Sequence, residues 1–172
     1  MPLSAGQIVY ESDLTGLNPD VTYKGATTTR NNTATLANDP DLANINLDPG
    51  VYSIEVVILT TNANQAAKFK TRWSFTGTWS SPMRACIGPG NTNTSTDPAT
   101  ATPITVRGYD ATTQDAAYSY GVSSAYAVIR EVSDFVQVTA SGVFAVQWAQ
   151  VTATAANTIV QPGSTVRVTK VV

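Results

Sequence analysis

The most constraining feature of this sequence is a ten-residue segment, VYSIEVVILT at residues 51–60, which is largely apolar on both of its alternating faces. It follows the turn Asp48-Pro49-Gly50, and a Pro-Gly turn before such a run is typical of a β-strand. A strand that is apolar on both sides needs a covering layer on each of them. One face carries Tyr52, Ile54, Val56 and Ile58, and the other carries Val51, Val57 and Leu59.

Other segments also alternate with a period of two, and we find no convincing 3.6-residue helical period over eleven or more residues. The segments that alternate are residues 67–77, 125–132, 133–140, 142–153 and 164–172. We interpret 125–132 and 133–140 as two strands joined by a tight connection around Glu131 to Asp134. The pattern therefore predicts an all-β fold of seven or eight strands, arranged as a sandwich or jelly roll.

Composition argues against several classes of partner. Charged residues make up 13% of the chain, well under the roughly 25% usual for soluble domains. The ten Lys and Arg residues are scattered and the net charge is -2, so we expect neither nucleic acid nor a membrane surface as a partner. In addition, no apolar run reaches the roughly 20 residues that a membrane-spanning helix needs.

Histidine is absent from the chain, and Cys86 is its one cysteine. These two facts exclude an imidazole base, a Ser-His triad, a His-based metal site and an internal disulfide. We interpret Cys86 as a small buried apolar residue, because a reactive thiolate needs a cationic or imidazole neighbour. The sequence therefore predicts no enzyme activity and no cofactor.

Carboxylates are the remaining candidates for site chemistry. Asp39 and Asp41 either donate oxygens to calcium or cap their own backbone in a turn around Pro40. We favour the cap, because the glycine-centred loop and closing Glu of the well-known calcium motif are absent. A glycosidase pair assembled from Glu55, Glu131 and several Asp residues needs two carboxyl groups at one bond, and nothing in the sequence brings two of them together.

Two segments differ from the alternating ones. Residues 81–103 form the longest stretch with little periodicity, and such a loop inside a compact domain is usually functional or mobile. Residues 107–126 carry four of the seven tyrosines, and Tyr offers rigid contact area for sugars and proteins. From these segments and residue 79 we predict an exposed recognition surface that includes Trp79, Tyr109, Tyr118 and Tyr120.

Two motifs carry a resemblance to a known family. The first is LANDPDLANINLDPGVYSIEVVILT at residues 36–60, and the second is VFAVQWAQVTATAANTIVQPGSTVRVTKVV at residues 143–172. Both resemble the compact jelly-roll module of tailed-bacteriophage virion proteins, which is related in shape to tumour necrosis factor and to the globular heads of complement. The resemblance covers residues 33–172.

This resemblance implies a ten-strand jelly roll that associates as a homotrimer about a threefold axis, with its first and last strands side by side. We assign residues 1–30 to an N-terminal arm and residues 31–172 to the jelly-roll domain. We expect the inward aromatic side chains of the long strands to lie at the trimer axis, Tyr52 and Trp148 among them.

The resemblance also leads to two hypotheses of function. Phage fibre proteins with this module usually carry a long stalk before it, whereas about thirty residues precede it here. This favours a decoration protein that is made in the host cytoplasm, sits on the capsid surface of the virion and stabilises the shell without catalysis. The alternative is a receptor- or carbohydrate-binding module of a phage tail, whose partner is a glycan or protein of the host surface. For the first hypothesis, the arm residues expected to contact the major capsid protein are Leu3, Ile8, Val9, Tyr10, Leu14, Leu17 and Tyr23.

Overall fold

A computed structural model describes residues 19–62, 65–80, 83–90, 104–109, 118–121 and 126–171. In these residues the chain is an all-β sandwich of two antiparallel sheets, which confirms the predicted fold class. The strands are β1 (Asp20–Tyr23), β2 (Thr28–Arg30), β3 (Ala37–Asn38), β4 (Ile45–Leu47), β5 (Gly50–Asn62), β6 (Phe69–Phe75), β7 (Thr78–Ser80), β8 (Arg84–Pro89), β9 (Ile104–Tyr109), β10 (Tyr118–Tyr120), β11 (Ala127–Ala140), β12 (Gly142–Gln150), β13 (Thr158–Val160) and β14 (Thr165–Lys170).

The two sheets differ in size. The large sheet has nine strands, and its main path runs β1-β14-β5-β11-β8-β9; β13 and β2 extend one part of β5, and β7 pairs with one end of β11. The small sheet has five strands, with the path β10-β6-β12-β3 and with β4 also paired to β12. Consecutive long strands alternate between the sheets, since β5 and β11 belong to the large sheet and β6 and β12 to the small one.

The central strand β5 confirms the alternation that its sequence predicts. Its burial switches at every residue from Tyr52 to Asn62, with the even-numbered side chains buried and the odd-numbered ones half-buried. Between the sheets these inward side chains meet an aromatic layer from β6 and β12. Phe69 stacks on Trp148 with ring centroids 5.6 Å apart, and Trp73 meets Phe144 edge-on at 5.5 Å. The interior is therefore filled by both sheets, as a sandwich core requires.

The predicted tight connection at residues 131–134 is wrong. Residues 127–140 form one continuous strand, β11, with a bulge. Ser133 pairs with Ile54 and Val136 with Tyr52, so Asp134 and Phe135 together lie opposite a single residue of β5. The inward-facing residues of β11 are 129, 131 and 133 before the bulge and 136 and 138 after it. This change from odd to even numbers interrupts the alternation in the sequence, as a turn between two strands would.

The predicted boundary between arm and domain lies too far along the chain. β1 pairs with β14 through residues 20–23, and β2 pairs with β13 through residues 28–30, so both strands belong to the large sheet. Both are short and mostly exposed on at least one side, which is why their alternation is weak in the sequence. The sandwich therefore begins by Asp20, and residues 1–18 lie outside the described part of the chain.

Candidate interaction surface

The outer face of the large sheet is the surface that faces away from the small sheet, and several large apolar side chains are exposed on it. Of the residues on it, Met83 is 65% exposed, Phe135 59% and Val128 56%. Half-buried Val51, Val57 and Leu59 of β5 continue it beside β11. Scattered exposed apolar residues are normal, whereas a contiguous apolar patch marks an interaction site. The outer face of the large sheet is therefore the best candidate functional surface in the described residues.

An open groove of about 300 Å³ lies within this face. The strand beside β11 changes here, because β8 pairs with residues 130–132 and β7 pairs from residue 137 onward. The bulge of β11 occupies the interval between these two partners, and it directs Phe135 outward. The groove is lined by Met83, Ala85, Val132, Asp134 and Phe135.

A small group of charges crosses the same face. Glu55 lies 2.6 Å from Arg130 and 3.5 Å from Arg167, measured between carboxylate oxygen and guanidinium nitrogen. Both arginines are more than half exposed, and exposed pairs of this kind contribute only about 0–1 kcal/mol to stability. Two arginines face one glutamate here, so this group carries one net positive charge.

Two further large side chains are exposed at the β1 edge of the large sheet. Val21 pairs with Arg167 and Tyr23 with Thr165, which places both β1 side chains on the outer face. Val21 is 45% exposed and Tyr23 70%. Tyr23 is thus accessible, as a contact residue needs to be, although it belongs to a paired strand rather than to a free arm. The other predicted arm residues, from Leu3 to Leu17, lie outside the described residues.

The inner surface of β11 carries a buried polar cluster instead of a reactive site. Glu131 is fully buried and accepts hydrogen bonds from the hydroxyl groups of Thr71 and Tyr120, and its second oxygen lies 3.6 Å from the guanidinium of Arg84. Thr71 and Tyr120 belong to the small sheet and Glu131 to the large one. The cluster therefore connects the two sheets through polar contacts inside an otherwise apolar core.

Burial keeps two ionisable groups at this cluster neutral, Tyr120 and Cys86, which pairs with Glu131 from β8. Cys86 is fully buried, and burial, reinforced by the charge of Glu131, raises its pKa from 9.0 to about 11. Burial and the same carboxylate raise the pKa of Tyr120 far above its ordinary value. Cys86 therefore stays a neutral thiol at physiological pH, in agreement with its interpretation as a buried apolar residue.

The predicted recognition surface needs two corrections. Tyr120 is fully buried and hydrogen-bonded to Glu131, because the short strand β10 turns it toward the core, so it is not exposed. Trp79 is half-buried, stacking on Phe75 with ring centroids 4.9 Å apart, so its ring is largely occupied by the protein itself. For Tyr109 and Tyr118 the side chains lie outside what the structure describes.

The residues predicted at the trimer axis are also placed differently. Trp148 is fully buried between the sheets, and its indole Nε1 donates a hydrogen bond of 2.9 Å to Asp39. Tyr52 is 5% exposed, and its hydroxyl donates to the carbonyl of Asp48 at 2.7 Å. Both side chains are covered by the chain's own second sheet, so neither is available to another copy.

The two carboxylate alternatives are decided by geometry. Oδ1 of Asp39 accepts the backbone N–H groups of Asp41 and Leu42 at 3.1 and 3.3 Å, which is the predicted turn cap. The ammonium of Lys24 occupies the remaining space between Asp39 and Asp41 at 2.9 and 3.2 Å. Across the described ranges, no group of three or more His, Cys, Asp and Glu side chains is arranged to hold a metal ion.

The glutamate pair is separated by the sheet itself. Glu131 pairs with Val56 and Val132 with Glu55, so the two carboxylates lie on neighbouring strands but on opposite faces. They cannot flank one glycosidic bond, as that chemistry requires.

Comparison with protein-family models, with curated proteins and with solved structures finds no match to this chain. Within the residues described, no helix is long and apolar enough to cross a membrane. The sequence analysis missed Met83, Val128, Val132 and Phe135 as surface residues. Val128 and Val132 are the valines at outward positions in residues 126–132. They indicate an apolar surface only when the strand beside them is known.

Proposed function

We propose that this protein is a non-catalytic structural protein of a tailed-phage virion, a homotrimeric decoration protein of the capsid surface. The observation that carries the proposal is the apolar outer face of the large sheet, with its groove and with Met83, Val128 and Phe135 each more than half exposed. An apolar face of this kind is stabilised when another protein surface covers it. Copies of the same chain are the proposed cover, arranged around a threefold axis.

The order of the strands supports a jelly-roll interpretation. The terminal strands β1 and β14 are neighbours, and β5 and β11 follow them in the same sheet. The opposing sheet contains β4, β12, β6 and β10. A jelly roll alternates between its two sheets in this way, and the module that the sequence resembles is a jelly roll. The β8–β9 hairpin then widens the large sheet beyond β11 and adds area to its outer face.

Residues 1–18 are the proposed attachment to the capsid. They precede β1 in the sequence, and β1 is an edge strand of the large sheet in the described residues, with Tyr23 70% exposed. The apolar residues Leu3, Ile8, Val9 and Tyr10 in this segment suit contact with the major capsid protein. Strand addition to an edge of the capsid protein is the proposed mode of recognition for this segment.

The test uses capsids that lack this protein. The full chain and a variant without residues 1–18 are purified, mixed with the capsids and separated by sedimentation. We expect the full chain to sediment with the capsids and the shortened chain to remain in the supernatant as a trimer, because β1 and the outer face are intact.

Two results would contradict the proposal. Failure of the full chain to bind capsids would remove the decoration function, and binding of the full chain to a glycan array or to host cells in its place would favour the tail-module alternative. Equal capsid binding by both chains would show that residues 1–18 are not the attachment.

A further inference from the structure

The structure places a primary amine against a carboxyl group inside the protein. Lys24 and Asp39 are both fully buried in their side chains, and Nζ lies 2.9 Å from Oδ1. Neither residue is free to withdraw, because the backbone of each is tied to a strand partner. Lys24 exchanges backbone hydrogen bonds with Ser164 and Gly163 at 2.7 and 3.0 Å, and Asp39 donates to Val146 at 2.9 Å.

We propose that Lys24 and Asp39 condense to an intramolecular isopeptide bond between Nζ and Cγ. This inference does not depend on the proposed function. The carboxyl carbon is one bond beyond Oδ1, and amide formation requires Nζ to approach that carbon to the separation of about 3–3.5 Å of a near-attack arrangement. Fixed geometry of this kind replaces a bimolecular encounter and lowers the barrier to amide formation.

The surroundings of Asp39 favour attack at its carboxyl carbon. The backbone N–H groups of Asp41 and Leu42 donate to Oδ1, and Nε1 of Trp148 donates to Oδ2 at 2.9 Å. Donors at both oxygens stabilise the negative charge that develops there when a nucleophile adds. Arg30 lies over the ring of Trp148, with its guanidinium carbon 4.1 Å from the ring centroid, and holds the indole in place.

Asp41 supplies the proton transfer. Its Oδ2 lies 3.2 Å from Nζ, so it is the carboxylate placed to accept a proton from the amine. Its side chain is 32% exposed, whereas those of Lys24 and Asp39 are fully buried. The reacting atoms are thus shielded from bulk water, while the leaving water has an exit on the side of Asp41.

The atoms balance without an oxidant or any other reactant. One proton passes from the ammonium of Lys24 to the carboxylate of Asp39, which gives a neutral amine and a neutral acid. Nζ then bonds to Cγ, Asp41 carries a second proton from nitrogen to the departing hydroxyl, and the C–O bond breaks. The products are one amide and one water molecule, and Asp41 is unchanged.

An uncondensed ion pair is the competing state of these residues. Nζ has three acceptors, Thr28 Oγ1 at 2.6 Å, Asp39 Oδ1 and Asp41 Oδ2, which matches the three donors of an ammonium group. The two states have the same hydrogen-bonding neighbours but differ in mass and in connectivity. A mass measurement therefore separates them.

The covalent bond has a mechanical consequence. It joins the end of β1 to the turn after β3, and the same turn is held to β12 by the hydrogen bond from Trp148. A force applied to the N-terminal segment reaches β1 first and then passes through the bond to the small sheet. The short strand β1 is thereby prevented from peeling away from β14.

The first experiment is intact mass spectrometry of the purified full chain after denaturation. We expect a mass lower than that of the sequence by one water molecule. Trypsin should then fail to cleave after Lys24 and should release residues 1–30 joined to residues 31–68 as one branched peptide. A full sequence mass together with normal cleavage after Lys24 would overturn the proposal.

Variants assign the chemistry to the named residues. Lys24→Arg keeps the positive charge but removes the primary amine, and Asp41→Asn keeps the size but removes the proton acceptor; both should show the full mass. The matched control is Asp48→Asn, at an exposed carboxylate that accepts a hydrogen bond from Ser141, and it should still lose one water. Loss of water in Lys24→Arg would contradict the assignment, and unchanged loss in Asp41→Asn would contradict the role of Asp41. The wild-type mass decides the proposal even where a variant does not fold.

Discussion

The outer faces of the two sheets differ in how far their side chains are already partnered. On the small sheet, Arg72 donates to Gln147 at 2.8 and 2.5 Å, and Gln147 donates to Asn38 at 2.9 Å. The outward residues Ala145 and Ala149 are small and buried. On the large sheet, by contrast, Met83, Val128 and Phe135 are more than half exposed.

This difference shows which face is complete in the single chain. The polar ladder of the small sheet satisfies its own hydrogen bonds and faces water without loss. The apolar face of the large sheet gains free energy when it is covered, at about 25 cal/mol for each Å² removed from water. We therefore expect assembly through the large sheet, and substitutions on the two faces should have different effects.

The largest effect is expected from a charge placed in the groove. Val132 lines the groove on the large sheet, and Val143 is a half-buried outward valine on the small sheet. Val132→Asp places an unpaired carboxylate in the proposed interface, which opposes assembly by about 3–5 kcal/mol per copy. We expect monomers in light scattering for Val132→Asp and trimers for the control Val143→Asp. Trimers from both variants would move the interface off this face.

The buried residues around Glu131, including Cys86 of β8, should make the stability of the fold depend on pH without affecting assembly. The pKa of Cys86 is raised to about 11 in the folded chain, so the thiol ionises first in the unfolded chain as the pH rises. Stability is therefore full below pH 9 and falls as the pH approaches about 11, by on the order of 2–3 kcal/mol for a shift of this size.

Urea unfolding at pH 8 and at pH 10.5 measures this loss. Cys86→Ala should show a smaller loss than the wild type between these two pH values, because it removes the group that titrates. An equal loss in both chains would show that Cys86 is not the source.

A smaller effect is expected from truncation of one exposed aromatic residue. Phe135 is 59% exposed in the single chain, so Phe135→Ala should change the free energy of unfolding of the monomer by less than about 0.5 kcal/mol. The same change should weaken trimer association by about 1–2 kcal/mol per copy, as for an interface anchor. Sedimentation equilibrium across a dilution series measures the second quantity. Weaker folding with unchanged association would reverse the interpretation of this residue.

The smallest effect is expected on the small sheet. Arg72→Ala removes the half-buried ladder contact with Gln147, and a side-chain hydrogen bond of this kind contributes about 0.5–1.5 kcal/mol to folding. Trimer association should be unchanged. Loss of the trimer in Arg72→Ala would show that the polar face, not the apolar one, is the interface.

The sequence was sufficient to predict the fold class and the long strands. β5, β6 and β12 face inward at the residues that alternation indicates, because one side of each must be buried. The bulge of β11 was missed because a shift of inward residues from odd to even numbers resembles a turn. Tyr52 and Trp148 were correctly predicted to face inward, but alternation does not say whether the covering layer is the chain's own sheet or another copy.

Contacts between segments that are far apart in the sequence could not be predicted from local residue patterns. Lys24 and Asp39 lie in different turns, and their contact depends on how β1 and β3 meet β14 and β12. The groove likewise depends on the change of partner from β8 to β7 beside β11. Tyr120 was misplaced because the three-residue strand β10 gives no alternation from which to choose its buried face.

The mass of the purified protein in dilute solution tests the central claim most directly. Light scattering coupled to size exclusion, at micromolar concentration and neutral pH, should give three times the chain mass of 18.1 kDa. A single species at 18.1 kDa, unchanged as the concentration is raised, would contradict assembly through the outer face of the large sheet.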